Sequence, residues 1–157
     1  MKEEFSLTPM QIQTAAAVQE VRNCEPLCER YGLRLSEADM LELVESRKKA
    51  LSDSGRIEFG GGILPKLIYA FCDSPYIENV TWAETLAELQ EAFYTFKSES
   101  QDRFTDDELV DIMVKAFNGP AQGSLKYLTG TVLQTLCRSI RQEQNAHDKK
   151  DSGDSHD

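Results

Sequence analysis

Apolar residues recur at helical spacing along most of this chain. Side chains that are four, three, four and three positions apart share one face of an α-helix. The clearest set with this spacing is Trp82, Leu86, Leu89, Phe93 and Phe96. Thr81 and Glu84 have the spacing of a capping box, in which each side chain satisfies a free backbone N–H of the first turn. A helix is therefore predicted to begin at Thr81.

Two more capping boxes mark the starts of further helices. Ser36 pairs with Asp39, and Thr105 pairs with Glu108, each ahead of a run with helical apolar spacing. The helix that follows Thr105 is predicted to end at Gly119 in a left-handed cap. These signals divide the chain into separate helices joined by short turns.

The two ends of the chain give less regular patterns. A first helix is expected between residues 8 and 31, in two pieces, because Pro26 must begin a new helix or kink the old one. Gly130 lies inside the last predicted helix, where a glycine costs about 1 kcal/mol relative to alanine. A close contact with a neighbouring helix would explain that glycine. The apolar face of this last helix is predicted to comprise Leu125, Leu128, Val132, Leu136 and Ile140.

The centre of the chain is the segment 56–76, RIEFGGGILPKLIYAFCDSPY. Alternation of polar and apolar residues predicts at most a very short extended segment near 56–59. After three glycines the chain is apolar on nearly every side of a helix that is expected to start near Ile63 or Leu64, with Pro65 in its first turn. The sequence therefore predicts an all-α, single-domain bundle of five to seven helices around this central apolar helix.

Domain organisation follows from length and composition. A chain of 157 residues can bury one sizeable core, so residues 1–141 are predicted to form a single helical domain. Residues 142–157 are rich in charged and polar residues and are predicted to be a disordered acidic tail.

The charge balance limits the partners that the chain can bind. Its 27 acidic residues outnumber 17 basic ones, for a net charge of −10. Nucleic acids and anionic membranes both require clustered lysine and arginine, and the longest basic run of the chain is the three residues Arg47, Lys48 and Lys49. Neither is an expected partner. The N-terminus, MKEEFSLTPM, has no apolar run of signal-peptide length, so we expect a cytoplasmic protein with free thiols.

The glycines ahead of the central helix form the one candidate binding site. The free N–H groups and partial positive charge of a helix N-terminus attract phosphate or carboxylate, and a nearby lysine adds a full charge. The alternative is that the glycines only permit close packing of a neighbouring segment. The candidate anion-binding residues are Gly60, Gly61, Gly62, Lys66 and Arg56.

Catalytic and metal sites are not expected. Cys24 and Cys28 could join the other two cysteines in a four-thiolate zinc site, but Pro26 disrupts the helical spacing between them, and small buried side chains are the favoured interpretation. Both histidines, His147 and His156, lie in the predicted tail, which is too polar to pack, so a Cys-His or Ser-His mechanism is not expected. We predict no catalytic residue, no metal and no cofactor.

Four segments carry a resemblance to a known group of proteins. They read RIEFGGGILPKLIYAFCDSPYI, TWAETLAELQEAFYTFK, DDELVDIMVKAFNG and QGSLKYLTGTVLQTLCR. Over residues 11–141 the chain resembles an uncharacterised family of small cytoplasmic proteins from anaerobic Gram-positive bacteria. The resemblance implies a cytoplasmic bacterial protein and brings no activity, cofactor or catalytic residue with it.

Two functions from different classes are compatible with these patterns. The first is a non-catalytic helical interaction or adaptor module, which would bind another protein or a second copy of the chain. The alternative is a binder, or an enzyme, of a phosphorylated small molecule at the corner formed by Gly60–Gly62 and Lys66.

Overall fold

The computed structural model describes residues 8–58 and 62–153, and all regular structure in these ranges is helical. The helices are α1 (Pro9–Arg22), α2 (Glu25–Glu29), α3 (Glu37–Ser54), α4 (Ile63–Phe71), α5 (Trp82–Glu99) and α6 (Asp106–Asn118). A last helical stretch, α7, comprises an α-helical turn (Leu125–Tyr127), a π-helical segment (Leu128–Leu133) and an α-helix (Gln134–Gly153). The predicted all-α single domain is confirmed.

Local capping sets most helix starts. The boxes at Ser36 and Thr105 are confirmed, with both reciprocal hydrogen bonds present in each. A third box begins α1, where the Thr8 hydroxyl accepts a hydrogen bond from the Gln11 amide. The predicted box at Thr81 is wrong: α5 does start at Trp82, but a 3-10 turn (Asn79–Thr81) leads into it and the Thr81 side chain makes no capping bond.

Two turn predictions had opposite outcomes. The first helix is divided as predicted, because α1 ends at Arg22 and α2 begins at Glu25 with Pro26 in its first turn. The left-handed cap at Gly119 is wrong, since this residue has φ −101° and ψ −108°. A Cβ atom at Gly119 would lie 2.8 Å from the backbone oxygen of Lys115, so close backbone approach explains this glycine.

Helix α4 lies at the centre of the bundle, as predicted. It packs against α1, α5 and α6, while α3 packs on α1 and α5. The Phe71 ring meets the Phe117 ring of α6 edge-on, with centroids 5.3 Å apart. Lys66 and Tyr69 remain exposed, so one edge of this helix reaches solvent. Its other large side chains are at most 1 % exposed: Ile63, Leu64, Leu67, Ile68 and Phe71.

The final helix departs from the predicted apolar face. Leu128 and Ile140 are buried as expected, but Leu125, Val132 and Leu136 are only half-buried. Leu133 and Cys137 are in the core instead. The π-helical segment explains this, because its i to i+5 hydrogen bonding advances the inward face by one residue beyond α-helical spacing.

Gly130 lies within the same π-helical segment. It is exposed, and a Cβ atom added there would meet no atom within 4 Å. The predicted close helix contact at this glycine is therefore wrong.

Two further predictions concern residues 56–59 and the C-terminal residues from Gln142 onward. Residues 56–58 have no regular secondary structure, and Phe59 lies outside the described residues. Helix α7 continues past Gln142 to Gly153, so the predicted start of the tail does not coincide with a helix end. Disorder of the tail stays a prediction. Within the described part of the chain, no helix is long and apolar enough to cross a membrane.

The shifted face of α7 can be tested with a matched pair of substitutions. Leu133→Ala removes a side chain with 0 % exposure and should lower the free energy of unfolding by about 3 kcal/mol. Leu136→Ala removes the same atoms from a half-buried position and should cost less than half as much. Urea denaturation of both variants measures the difference, and an equal or larger cost for Leu136→Ala would contradict the π-helical register.

Candidate functional site

The predicted anion-binding corner is filled by side chains of the protein itself. Gly62 is the N-cap of α4, with φ 54° and ψ −124°; Gly60 and Gly61 lie outside the described residues. A Cβ atom at Gly62 would lie 2.2 Å from Glu58 Oε1 and 3.0 Å from Arg47 Cζ. At this position the glycine permits close packing, which was the alternative to ligand binding.

Glu58 is the internal anion at this corner. Its Oε1 accepts a 2.7 Å hydrogen bond from the Tyr94 hydroxyl and lies 3.8 Å from Arg47 Nε. Tyr94 and Arg47 are both buried. Burial first, and then the bond to Glu58, raise the pKa of the Tyr94 hydroxyl, which keeps it protonated as the donor. The carboxylate thus joins α3, α5 and the start of α4.

The two predicted cationic ligands are also engaged. Lys66 Nζ donates to Asp107 Oδ1 at 2.7 Å, and this bond, together with the charges of Asp107, Asp106 and Glu58, raises the lysine pKa. Arg56 instead forms an ion pair with Asp102. A phosphate at this corner would meet several carboxylates. Anion binding stays a prediction that no contact of the described residues supports.

The four cysteines are buried and free, which agrees with their interpretation as small core side chains. Burial is the main cause that raises the pKa of each thiol, and for Cys28 it reaches about 12. Buried thiols with raised pKa values are poor nucleophiles. Among the described residues, no group of three or more His, Cys, Asp or Glu side chains could hold a metal ion.

A groove along the outer surface of α3 and α5 is the strongest candidate for binding. It consists of two adjoining recesses of about 340 and 320 Å³ that share Ser46 and Ala87. We call it the acidic groove. Its charged lining comprises six carboxylates and two basic side chains, a formal charge of −4: Asp39, Glu42, Asp53, Glu84, Glu88, Glu91, Arg34 and Lys49.

The carboxylates of the acidic groove differ from those elsewhere on the surface. Nine ion pairs connect described residues, and they use acids such as Glu37, Asp107 and Asp111. None of the six groove carboxylates takes part in an ion pair with a described residue. The α5 side carries Glu84, Glu88 and Glu91, while the α3 side has Lys49 among its acids, so the groove as a whole has a negative potential.

The lining of the acidic groove includes one buried polar side chain. Gln90 is 1 % exposed, and its Nε2 donates to the Leu43 carbonyl at 3.2 Å. Its Oε1 has no hydrogen-bond partner among the described residues. Buried acceptors are nearly always paired, and because this oxygen is itself buried, its missing bond is a cost to the fold rather than a contact open to a ligand in the groove.

A second groove, between α1 and α3, is more apolar. It has a volume of about 540 Å³, and its lining includes Met10, Ala15, Val18 and Leu41. Met10 and Leu41 are exposed. Nothing in the structure shows what covers this groove.

Sequence reasoning missed the acidic groove because it treated the acids of each helix as a solvated face. The available signal was a set of small residues among the acids, at Ser46 and Ala50 on α3 and at Ala83 and Ala87 on α5. Small residues at helical spacing make a shallow channel when two helices pack. The packing of α3 against α5 is a contact between segments distant in sequence, and neither segment alone predicts it.

Comparison with known proteins gives one match. A family model described as a family of unknown function (DUF6323) matches residues 20–146, so the resemblance to a family without an assigned function is confirmed. No curated protein matches the chain significantly, and neither does any solved structure.

Substitution of Gly62 tests the packing at the start of α4. Gly62→Ala should lower the free energy of unfolding by at least about 3 kcal/mol, because the new Cβ clashes with Glu58 and the backbone has positive φ. Gly55→Ala is the matched control: it has φ 68° and no atom within 4 Å, and strain alone should cost about 1 kcal/mol. Equal losses in chemical denaturation would show that Glu58 does not fill this space.

Thiol labelling tests the state of the cysteines. Because the thiols are buried and their pKa values are raised, iodoacetamide at pH 8 should leave the native protein unmodified over an hour. The same reagent in guanidinium chloride should modify all four cysteines, as mass spectrometry would show. Rapid modification of Cys28 in the native protein would contradict the buried, protonated state of that thiol.

Proposed function

We propose that this chain, which belongs to the family of unknown function DUF6323, is a non-catalytic protein-interaction module. Its binding surface is the acidic groove, and its partner is a positively charged segment of another protein. The observation that carries the proposal is the set of six groove carboxylates without an ion pair among the described residues, aligned on two packed helices.

Electrostatics supports a cationic partner. Six carboxylates outnumber two basic side chains in the lining, and the repulsion among the excess negative charges is unfavourable in the unbound protein. A segment rich in lysine and arginine would relieve it on binding, and complementary charge also accelerates association. Because exposed charges are screened within about 8 Å at physiological ionic strength, such binding should weaken as salt is added.

The same charge disfavours other classes of partner. The phosphates of nucleic acids and anionic lipids would be repelled by the groove and by the net charge of −10. The alternative function, binding of a phosphorylated small molecule at Gly62 and Lys66, faces the same repulsion from Glu58 and Asp107. No observation favours that alternative.

The proposal includes a cellular setting. The resemblance to small cytoplasmic proteins of anaerobic Gram-positive bacteria implies a bacterial cytoplasm. Four free thiols are compatible with a reducing compartment, where disulfides rarely form. An interaction module in the cytoplasm would have direct access to cytoplasmic partner proteins.

Site-specific photo-crosslinking tests the binding surface. A benzoylphenylalanine at Ser46, on the floor of the acidic groove, should give a discrete crosslinked product in cells of the source organism. The same probe at Ser139, an exposed position on α7, is the control and should give none. Mass spectrometry should identify the crosslinked peptide as a positively charged segment of another protein.

Charge neutralisation makes the test specific. Glu42→Gln, Glu88→Gln and Glu91→Gln together should reduce the Ser46 product at least fivefold. A control variant with Glu29→Gln, Asp73→Asn and Glu78→Gln changes the net charge equally, at exposed positions outside the groove. This control should leave the amount of the Ser46 product unchanged. A crosslink to a second copy of this chain, or an equal loss in both triple variants, would contradict the proposal.

A further inference from the structure

We propose that a recess between α5 and the π-helical segment of α7 binds a small zwitterionic molecule, of the chemical class of an amino acid with an apolar side chain. The recess has a volume of about 420 Å³. This site is separate from the proposed function, and its occupant is a small molecule rather than a protein. We call it the α7 recess; it is bounded by Glu91, Ala92 and Phe96 of α5 and by Lys126, Thr129 and Gly130 of α7.

One wall of the α7 recess is formed by the π-helical segment Leu128–Leu133. Short π-helical turns inside α-helices are rare, and they occur frequently at functional sites. Thr129 and Gly130 both belong to this segment and line the recess. The Thr129 hydroxyl donates to the Leu125 carbonyl at 2.9 Å, so its oxygen can still accept a hydrogen bond from a ligand. The irregular stretch of α7 is therefore part of the recess wall.

Gly130 has no role inside the protein that requires a glycine. Its φ does not lie in the left-handed region, and a Cβ atom added there would meet no atom within 4 Å. Glycine is nevertheless one of the least favourable residues inside a helix. A glycine also permits the close approach of a group from outside the chain. Because Gly130 lines the recess, a molecule bound in the recess would be that group.

The two walls of the α7 recess carry opposite charge. Glu88 and Glu91 are exposed on the α5 wall, and Lys126 is exposed on the α7 wall. None of the three forms an ion pair with a described residue. A bound cation would leave the lysine unpaired, and a bound anion would meet the two carboxylates. A zwitterion can direct its ammonium group toward the glutamates and its carboxylate toward the lysine.

The base of the α7 recess is apolar. Ala92 and Phe96 are at most 5 % exposed, and Leu125 is half-buried. An apolar body that lies on these side chains is removed from water, while polar groups at the rim fix its orientation, as is usual in small-molecule sites. Such sites have volumes of about 300–1,000 Å³. The α7 recess is near the lower end of this range, which suits a molecule of amino-acid size.

The α7 recess adjoins the acidic groove. Glu88 and Glu91 line both of them, because they lie on α5 between the two. Lys126 and Gly130 line the recess and not the groove, whereas Lys49 lines the groove and not the recess. Substitutions at these three positions therefore test the two sites separately.

Three matched compounds provide the probe. L-Phenylalanine carries both charges on an apolar body; phenethylamine lacks the carboxylate, and 3-phenylpropionate lacks the ammonium group. In NMR spectra of the full-length, ¹⁵N-labelled protein, L-phenylalanine should shift the amide signals of Thr129 and Gly130 in a saturable way. Each of the other two compounds should bind at least about fivefold more weakly, because it leaves one wall without a partner.

Variants of the protein locate the binding. Lys126→Met should weaken L-phenylalanine at least about fivefold, whereas Lys49→Met removes another exposed lysine and should leave the affinity unchanged. Gly130→Leu places a side chain at the recess and should abolish binding. Leucine is also a better helix former than glycine, so Tm should not fall in this variant, and circular dichroism should show an intact fold.

Each contrary result overturns a stated part of the inference. If none of the three compounds shifts the Thr129 or Gly130 amide at about 10 mM, the site is overturned. Equal binding of L-phenylalanine and either analogue would overturn the zwitterionic class. Binding that survives Gly130→Leu, or an equal loss in Lys126→Met and Lys49→Met, would show that the ligand does not lie in this recess. The Ser46 crosslink tests the acidic groove alone, so the two proposals fail independently.

Discussion

The need to keep α4 out of water determines the arrangement of the other helices. Five of its nine residues are large apolar side chains with at most 1 % exposure, and only the edge with Lys66 and Tyr69 reaches solvent. Burial of such side chains contributes about 1.5–3 kcal/mol each relative to exposure. Helices α1, α5 and α6 cover α4 directly, and α3 covers the gap between α1 and α5. The outer surface of α3 and α5, where the acidic groove lies, follows from this enclosure.

The glycine-preceded N-terminus of α4, which was predicted to bind an anion, has a structural role in the fold. Free N–H groups at a helix N-terminus favour an anion, and here Glu58 supplies it from the same chain. The glycine at position 62 lets that carboxylate approach, and Tyr94 and Arg47 hold it from two other helices. The acidic groove is the opposite case, because none of its six carboxylates forms an ion pair with a described residue, although Arg34 and Lys49 also line it. The carboxylate at Gly62 has partners within the protein, whereas those of the groove have no such ion pair.

Much of the fold could be predicted because its signals are local. Ser36 and Thr105 specify helix starts through residues only three positions away, and α4 is identified by its own composition. The failures depend on contacts between distant segments. Leu133 replaces Val132 in the core because the π-helical segment adjusts α7 to its neighbours. The space beside Gly62 is filled by Glu58 and by Arg47 of α3, and the acidic groove exists only once α3 and α5 are paired. No pattern within a single segment of the sequence predicts these contacts between segments.

The π-helical segment of α7 has a consequence for how this chain tolerates change in length. A π-helical turn is equivalent to one extra residue inside an α-helix, and it contains the exposed Gly130, where an added Cβ would meet no atom within 4 Å. Loss of one residue there would restore α-helical winding and keep the same core side chains facing inward on both sides. Loss of one residue anywhere else in α7 would rotate every later side chain by about 100°. Natural variation in the length of α7 should therefore concentrate at this turn.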